Sequence, residues 1–312
     1  MVNACLVIIF NHRYDKNIPV LEKLYAPRFR HIFFLVPFYD GDKENVIPVY
    51  EGSNYFQGYV AQAFRAIYRP ELTHYIFTGD DCILNPAITE SNVAEQVGLP
   101  DGTDFCFDLI DLASIRNWTW WHAHKGVDFF TNRKGVEAQR ELPSYEEAVS
   151  RFSRHGIEVQ PLSYDNLFGP LPFGLKKPVR DKWLKAQYLY HIQWKKYRQQ
   201  GKIRLPYPIV GGYSDLFIIT RETMPRFARY CGITAALGLF VEIAVPTCLL
   251  LSAEKILQEK QAKLKGLAMW SREEVEALEK QCGNSLQQLL QQFPAGQLVY
   301  HPVKLSRWKN DL

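Results

Sequence analysis

The sequence predicts an α/β fold built on a mainly parallel central sheet flanked by helices, and three observations lead there. Residues 4–10 (ACLVIIF) and 31–37 (HIFFLVP) are apolar almost without interruption, as strands covered on both faces are. Segments with helical spacing separate such runs. Each run also breaks off at polar residues, Asn11-His12-Arg13 after the first and Phe38-Tyr39-Asp40 after the second, and ligands of parallel sheets bind at these carboxyl ends.

In chain order, residues 4–10 form the first strand, residues 18–25 a helix, residues 31–37 a second strand and residues 46–50 a shorter third. Residues 57–68 have helical spacing and lead into residues 75–78 (YIFT), whose β-branched and aromatic content marks a buried strand. Residues 216–220 form a further strand. Residues 254–292, rich in Lys, Glu and Gln, are expected to form amphipathic helices, one capped by Ser271 with Glu274 three residues on. A short apolar strand at 298–301 follows near the end of the sequence.

With 312 residues, 47% of them hydrophobic, the chain can bury one large core or two modest ones, and no repeat or low-complexity linker calls for a second domain. A net charge of +4 is too mild for nucleic acid, though it leaves room for a local basic patch facing phosphates. The six cysteines are scattered without CxxC spacing, which fits reduced, buried thiols and a cytoplasmic location. The apolar N-terminus has no basic residues before it and no small-residue cleavage site, so it reads as a strand and not as a signal peptide. Residues 231–251 are long enough to cross a bilayer, but Glu242 and Pro246 interrupt them, and they are expected to form a buried pair of elements.

Gly79-Asp80-Asp81 ends the strand at 75–78 with two adjacent carboxylates, which repel unless a cation lies beside them. Mg²⁺ or Mn²⁺ is commonly held by one or two carboxylates while phosphates and water complete its shell. An Asx-type turn, or the cap of a helix beginning near Pro86, is the plainer reading of the same doublet. The sequence after the first strand, NHRYD, contains neither GxGxxG nor GKS/GKT, which disfavours a dehydrogenase or a P-loop ATPase.

A strand ending in NHR, a strand ending in PFYDG, a helix containing Gly58 and a strand ending in GDD follow one another in an order that resembles the nucleotide-sugar half of GT-A-fold glycosyltransferases. In that family a strand-end DxD motif holds a metal ion and the donor's diphosphate. Aligned on the motif, Gly79 stands where the first Asp is expected and Asp81 on the second. The resemblance therefore makes Asp81 the principal ligand for Mn²⁺ or Mg²⁺, with Asp80 as a second ligand or a ribose contact. It places Asn11, His12, Arg13 and Asp40 along the nucleotide's edge of the sheet.

Gly211-Gly212-Tyr213-Ser214-Asp215 resembles the family's glycine-containing segment beside the donor sugar and acceptor. Glu242 occupies the place of its xED motif, whose carboxylate is the base in inverting members; Ile243 stands where Asp is frequent. His301 resembles the C-terminal histidine that reaches the metal or diphosphate, with Lys304, Ser306 and Arg307 near enough in sequence to meet phosphate oxygens. Plain turns, caps or a satisfied histidine would account for each of these residues singly. The implied whole is one domain: 1–111 as the nucleotide-sugar half, 112–205 as a helical, aromatic-rich insertion on the acceptor side, and 206–312 as the acceptor half with C-terminal helices. It would move a sugar from a nucleoside diphosphate sugar, a UDP-sugar being favoured, to a hydroxyl of a glycan or lipid-linked acceptor, with inversion.

Within the insertion, the cluster Asn117-Trp118-Thr119-Trp120-Trp121-His122-Ala123-His124 could offer aromatic platforms or anchor a loop on the core. Residues 176–204 carry ten Lys or Arg against the single acid Asp181, with aromatics at helical spacing. A solvated face is one reading; contact with a membrane surface is the sharper one. Two other function classes stay open. A sugar nucleotidyltransferase would carry a glycine-rich basic loop after its first strand, of which NHRYD is a poor version, and a non-catalytic carbohydrate-binding or scaffold protein would need neither Asp81 nor Glu242.

Overall fold

The protein is described from a computed structural model covering residues 2–114, 137–163 and 201–312, together with Gly126, Phe130 and Lys185. The aromatic cluster at 117–124 and, apart from Lys185 and residues 201–204, the basic stretch at 176–204 lie outside the described residues. The chain divides into two compact units, the first made of Met1–Asp108, Tyr213–Gly232 and Ser252–Leu312, the second of Leu109–Gly212 and Ile233–Leu251.

The first unit opens with β1 (Ala4–Ile9), α1 (Ile18–Tyr25), β2 (Ile32–Pro37), β3 (Val46–Val49), α2 (Gln57–Ile67) and β4 (His74–Gly79), as the apolar runs and helical spacing predict. All six residues of β1 are buried. β5 (Ile83–Leu84), α3 (Val93–Val97) and β6 (Asp104–Cys106) follow. The second unit contains α4 (Tyr145–Arg154) and a two-stranded ribbon of β7 (Leu162–Ser163) and β8 (Lys202–Ile203). The chain continues through β9 (Leu216–Thr220), α5 (Met224–Ala236) and α6 (Val241–Ser252). β10 (Ile256–Gln258), β11 (Lys265–Ala268), α7 (Arg272–Gln281), α8 (Leu286–Gln291) and β12 (Gln297–His301) complete it.

Seven strands form the central sheet of the first unit in the order β10-β6-β9-β4-β1-β2-β3. β1, β2, β3 and β4 run parallel, β6 and β10 run parallel, and β9 lies antiparallel between β4 and β6. That reversal decides where the site falls, because the start of β9 meets the end of β4: Thr78 pairs with Leu216, and the Gly79 amide donates to the Asp215 carbonyl at 3.1 Å. A second sheet, β11-β12-β5, ties the end of the chain to the segment that follows Asp81.

One expectation needs correction, and another is met. The stretch 254–292 is not helical throughout: its first part forms β10 and β11, and only residues 272–281 and 286–291 are α-helical. β10 and β11 are short, half-exposed edge strands, and their Gln258 and Lys265 meet solvent as polar residues of an amphipathic helix would. The Ser271 and Glu274 capping box is present as expected. The segment 231–251 forms two helices broken at Gly238, whose φ of +67° suits a residue without a Cβ. Among the described residues, no helix is long and apolar enough to cross a membrane.

Asp104 braces the sheet where β6 meets β9. Its carboxylate is fully buried and accepts the Thr220 amide at 2.6 Å and the Thr223 hydroxyl at 2.8 Å. Burial pushes its pKa up to about 6, against the opposing pull of these donors. Asp104→Ala would strand both donors in the interior, and a loss of about 2–4 kcal/mol is expected by urea titration. A loss below about 1 kcal/mol would remove the brace from the account.

Candidate functional site

The site grows from the end of β4. The chain turns sharply at Gly79-Asp80-Asp81-Cys82, closed by the Cys82 amide donating to the Gly79 carbonyl at 3.1 Å. The doublet thus sits in a tight turn, and the chain then enters β5 instead of a helix near Pro86. A Cβ at position 79 would come within 3.1 Å of Asp81 Oδ1 and 3.3 Å of Cys82 Sγ, so glycine leaves room for Asp81 to fold back over the strand end. Tyr25, buried in the core, holds the far side of the turn: its hydroxyl donates to the Cys82 carbonyl at 3.1 Å and accepts from the Leu84 amide at 3.2 Å.

The two carboxylates of the doublet have different surroundings. Asp80 is 4% exposed and accepts from Asn17 Nδ2 at 3.1 Å, while its amide donates to the Ile9 carbonyl at the end of β1. Burial and then the neighbouring Asp81 charge push its pKa up to about 7. Asp81 is less enclosed, with about a quarter of its side chain exposed, and faces His301.

His301 arrives through the second sheet. Antiparallel pairing of Tyr300 with Ile83 and Val299 with Leu84 carries β12 past the turn, so that the next residue, His301, lies against it. The Val303 amide then donates to the Asp81 carbonyl at 2.7 Å and fixes the crossing. His301 Nε2 stands 3.5 Å from Asp81 Oδ1 and 3.7 Å from Asp215 Oδ1. Both separations are too long for good hydrogen bonds. Bonds of about 2.1 Å to a hard octahedral ion would set neighbouring ligand atoms about 3.0 Å apart and opposite ones about 4.2 Å apart, so His301 could share a cation with either carboxylate.

Asp215 is the residue the sequence reading named without giving it a role. It lies one position before β9, and only the antiparallel placement of that strand brings it beside Asp81. Burial raises its pKa, with the Asp81 charge adding to that and a positive His301 opposing it. A cation between the carboxylates would offset the same repulsion. Cys82 is also close, its sulfur forming a compact group with Asp81 and His301. It is buried, however, and its thiol donates to the Asp215 carbonyl at 3.6 Å; burial holds its pKa well above that of an ordinary thiol. Cys82 is therefore read as packing, and Asp81 and Asp215 are the carboxylates that could offer hard oxygen ligands.

A cavity of about 290 Å³ opens beside this group. Asn11, His12, Tyr14 and Asn17 line it from the end of β1, Asp80 and Asp81 from the turn, and Lys304, Leu305 and Ser306 from the segment after β12. The sequence expectation placed Asn11, His12, Asp80, Asp81 and Lys304 at one site, and all five line this cavity. Arg13 and Asp40 do not. They pair with each other across the ends of β1 and β2, Arg13 also bonding Asp15 and the Phe38 carbonyl, so this guanidinium is engaged by carboxylates.

Gly211, Gly212 and Glu242 belong to the second unit. Gly211 exchanges both backbone hydrogen bonds with Ile110, and the Gly212 amide donates to the Glu242 carbonyl at 3.0 Å. Glu242 stands in the first turn of α6, the helix start that the sequence assigns it. The cluster of Asp81, Asp215 and His301 lies wholly in the first unit and is built without it. Comparison of the chain with protein-family models and with curated proteins found no match.

Proposed function

We propose that this protein is a GT-A-type glycosyltransferase that binds a nucleoside diphosphate sugar through a divalent cation, Mn²⁺ or Mg²⁺, and transfers the sugar to a hydroxyl. One observation carries the reading. Asp81, Asp215 and His301 come from the ends of three different strands, and His301 Nε2 stands 3.5 Å from Asp81 and 3.7 Å from Asp215 beside a cavity that Lys304 and the end of β1 line. The antiparallel β9 supplies the carboxylate missing at Gly79 in the family's DxD pattern, so the site keeps two acidic ligands by a different route.

In this reading Asp81, Asp215 and His301 hold the cation, which when bound neutralises charge on the diphosphate leaving group. Lys304 and Ser306 line the cavity, and an ammonium and a hydroxyl there can donate to phosphate oxygens. Asn17 engages one oxygen of Asp80, and the buried core behind the turn keeps the ligands in place. At about 290 Å³ the cavity takes a phosphate-bearing portion of the donor, with the rest extending over the rim of the sheet.

Calorimetry with UDP tests this directly. Binding is expected with Mn²⁺ present and at least about tenfold weaker with chelator, which corresponds to about 1.4 kcal/mol. Equal binding with and without the ion would refute the cation's role. Preference for a nucleoside triphosphate over UDP and its sugars would favour a nucleotidyltransferase.

A further inference from the structure

Among the described residues of the first unit, Tyr14, Phe38, Tyr50, Tyr213 and Trp270 are exposed aromatics, and of these Trp270, 66% exposed, and Tyr213, 36%, lie next in sequence to the site's own segments. Their ring centroids lie 4.9 Å apart with the planes tilted by 42°. Tyr213 precedes β9, and Trp270 follows β11, the strand paired with β12, so the pair adjoins two of the three strands whose ends carry the proposed ligands. Tyr213 lies two positions before Asp215 on the approach to β9. Trp270 follows Met269, whose amide donates to the His301 carbonyl at 2.7 Å.

The backbone under Trp270 is fixed as well. Its amide and that of Ser271 each donate to the Glu274 carboxylate at 2.8 Å, and the Ser271 hydroxyl accepts from the Glu274 amide at 3.2 Å. The ring is thus presented from a capped helix start and not from a loose loop. Neither ring lines the cavity that would take the donor's diphosphate. Exposed aromatic surface held rigidly beside a polar centre marks a place where a ligand covers it.

We propose that Tyr213 and Trp270 form the acceptor subsite, a tilted aromatic platform that stacks on the apolar C–H face of a neutral pyranose while Asp215 lies near its hydroxyl edge. The assignment deepens the glycosyltransferase reading by naming a saccharide acceptor. The chemistry selects a sugar because one face of a pyranose is apolar and its rim is polar, which matches rings bordered by carboxylates and an imidazole. A nucleobase is the other ligand that stacks on such rings, and the test separates the two.

Saturation-transfer NMR on the full chain would use methyl glucoside, methyl galactoside, N-acetylglucosamine and their β-linked disaccharides, with UDP and Mn²⁺ titrated separately. At least one saccharide should receive saturation at its ring C–H protons. Trp270→Ala should weaken that binding at least about tenfold, and Trp270→Phe should restore most of it, with UDP binding unchanged in both. The near-ultraviolet circular dichroism and melting temperature of both variants check that they fold. Absence of saturation transfer from every sugar, or binding that survives Trp270→Ala, would overturn the platform. Loss of UDP binding with sugars unaffected would reassign the rings to a nucleobase. Failure of the wild-type chain to bind UDP with Mn²⁺ would instead overturn the transferase reading and leave the saccharide result standing.

Discussion

Asp81→Ala and Asp215→Ala are each expected to weaken cation-dependent UDP binding by at least about 100-fold, while Asp80→Asn leaves most of it intact. The ordering follows from the geometry. His301 Nε2 lies within 3.7 Å of both Asp81 and Asp215, whereas Asp80 is buried and bonded to Asn17. Removing one of two acidic ligands leaves a cation held by one carboxylate and a neutral imidazole. Asp81 and Asp215 are both partly exposed, so neither deletion opens a core cavity, and melting temperatures near wild type are expected. Calorimetry with Mn²⁺ and UDP on the three variants is decisive. Wild-type affinity in Asp215→Ala together with loss in Asp80→Asn would return the second ligand to the place the doublet alone suggests.

The sequence shows one half of this site more clearly than the other. Apolar runs and their polar ends place Asn11, His12 and Asp81 on one rim of a parallel sheet, because strand period and burial are local properties. Nothing local in Leu216–Thr220 says that the strand runs antiparallel, and a parallel strand there would carry Asp215 to the opposite edge. His301 is legible as a histidine ending an apolar strand. Its partner, the two-residue β5, is too short to show a period and is set by the turn that Tyr25 braces. The edge strands β10 and β11 are hidden by charged composition that an exposed helix shares. Arg13 points the same way: its position suggests phosphate, but the nearby Asp15 and the more distant Asp40 claim its guanidinium.

Asp80→Asn should also change stability, and the direction depends on pH. In the folded protein the Asp80 pKa is pushed up to about 7 by burial and by Asp81, against an ordinary 3.8 when unfolded. Between those values the folded state holds a proton that the unfolded state has released, so the stability of the wild-type chain falls as pH rises through this window. The contribution is complete below about pH 4 and lost above about pH 7. The shift corresponds to about 4 kcal/mol at most. An amide offers one oxygen to Asn17 and to the Asn11 backbone where the carboxylate offers two, which costs the variant about 1 kcal/mol at every pH. Asp80→Asn is therefore expected to be no more stable than wild type at pH 4 and about 1–3 kcal/mol more stable at pH 8, measured by urea titration with chelator present. Asp104, whose pKa is also raised, titrates alike in both proteins and cancels in the difference. A stability difference that does not grow between pH 4 and pH 8 would mean that Asp80 is not a buried charge held at a cost. The two carboxylates of the doublet would then have to be treated as equivalent ligands.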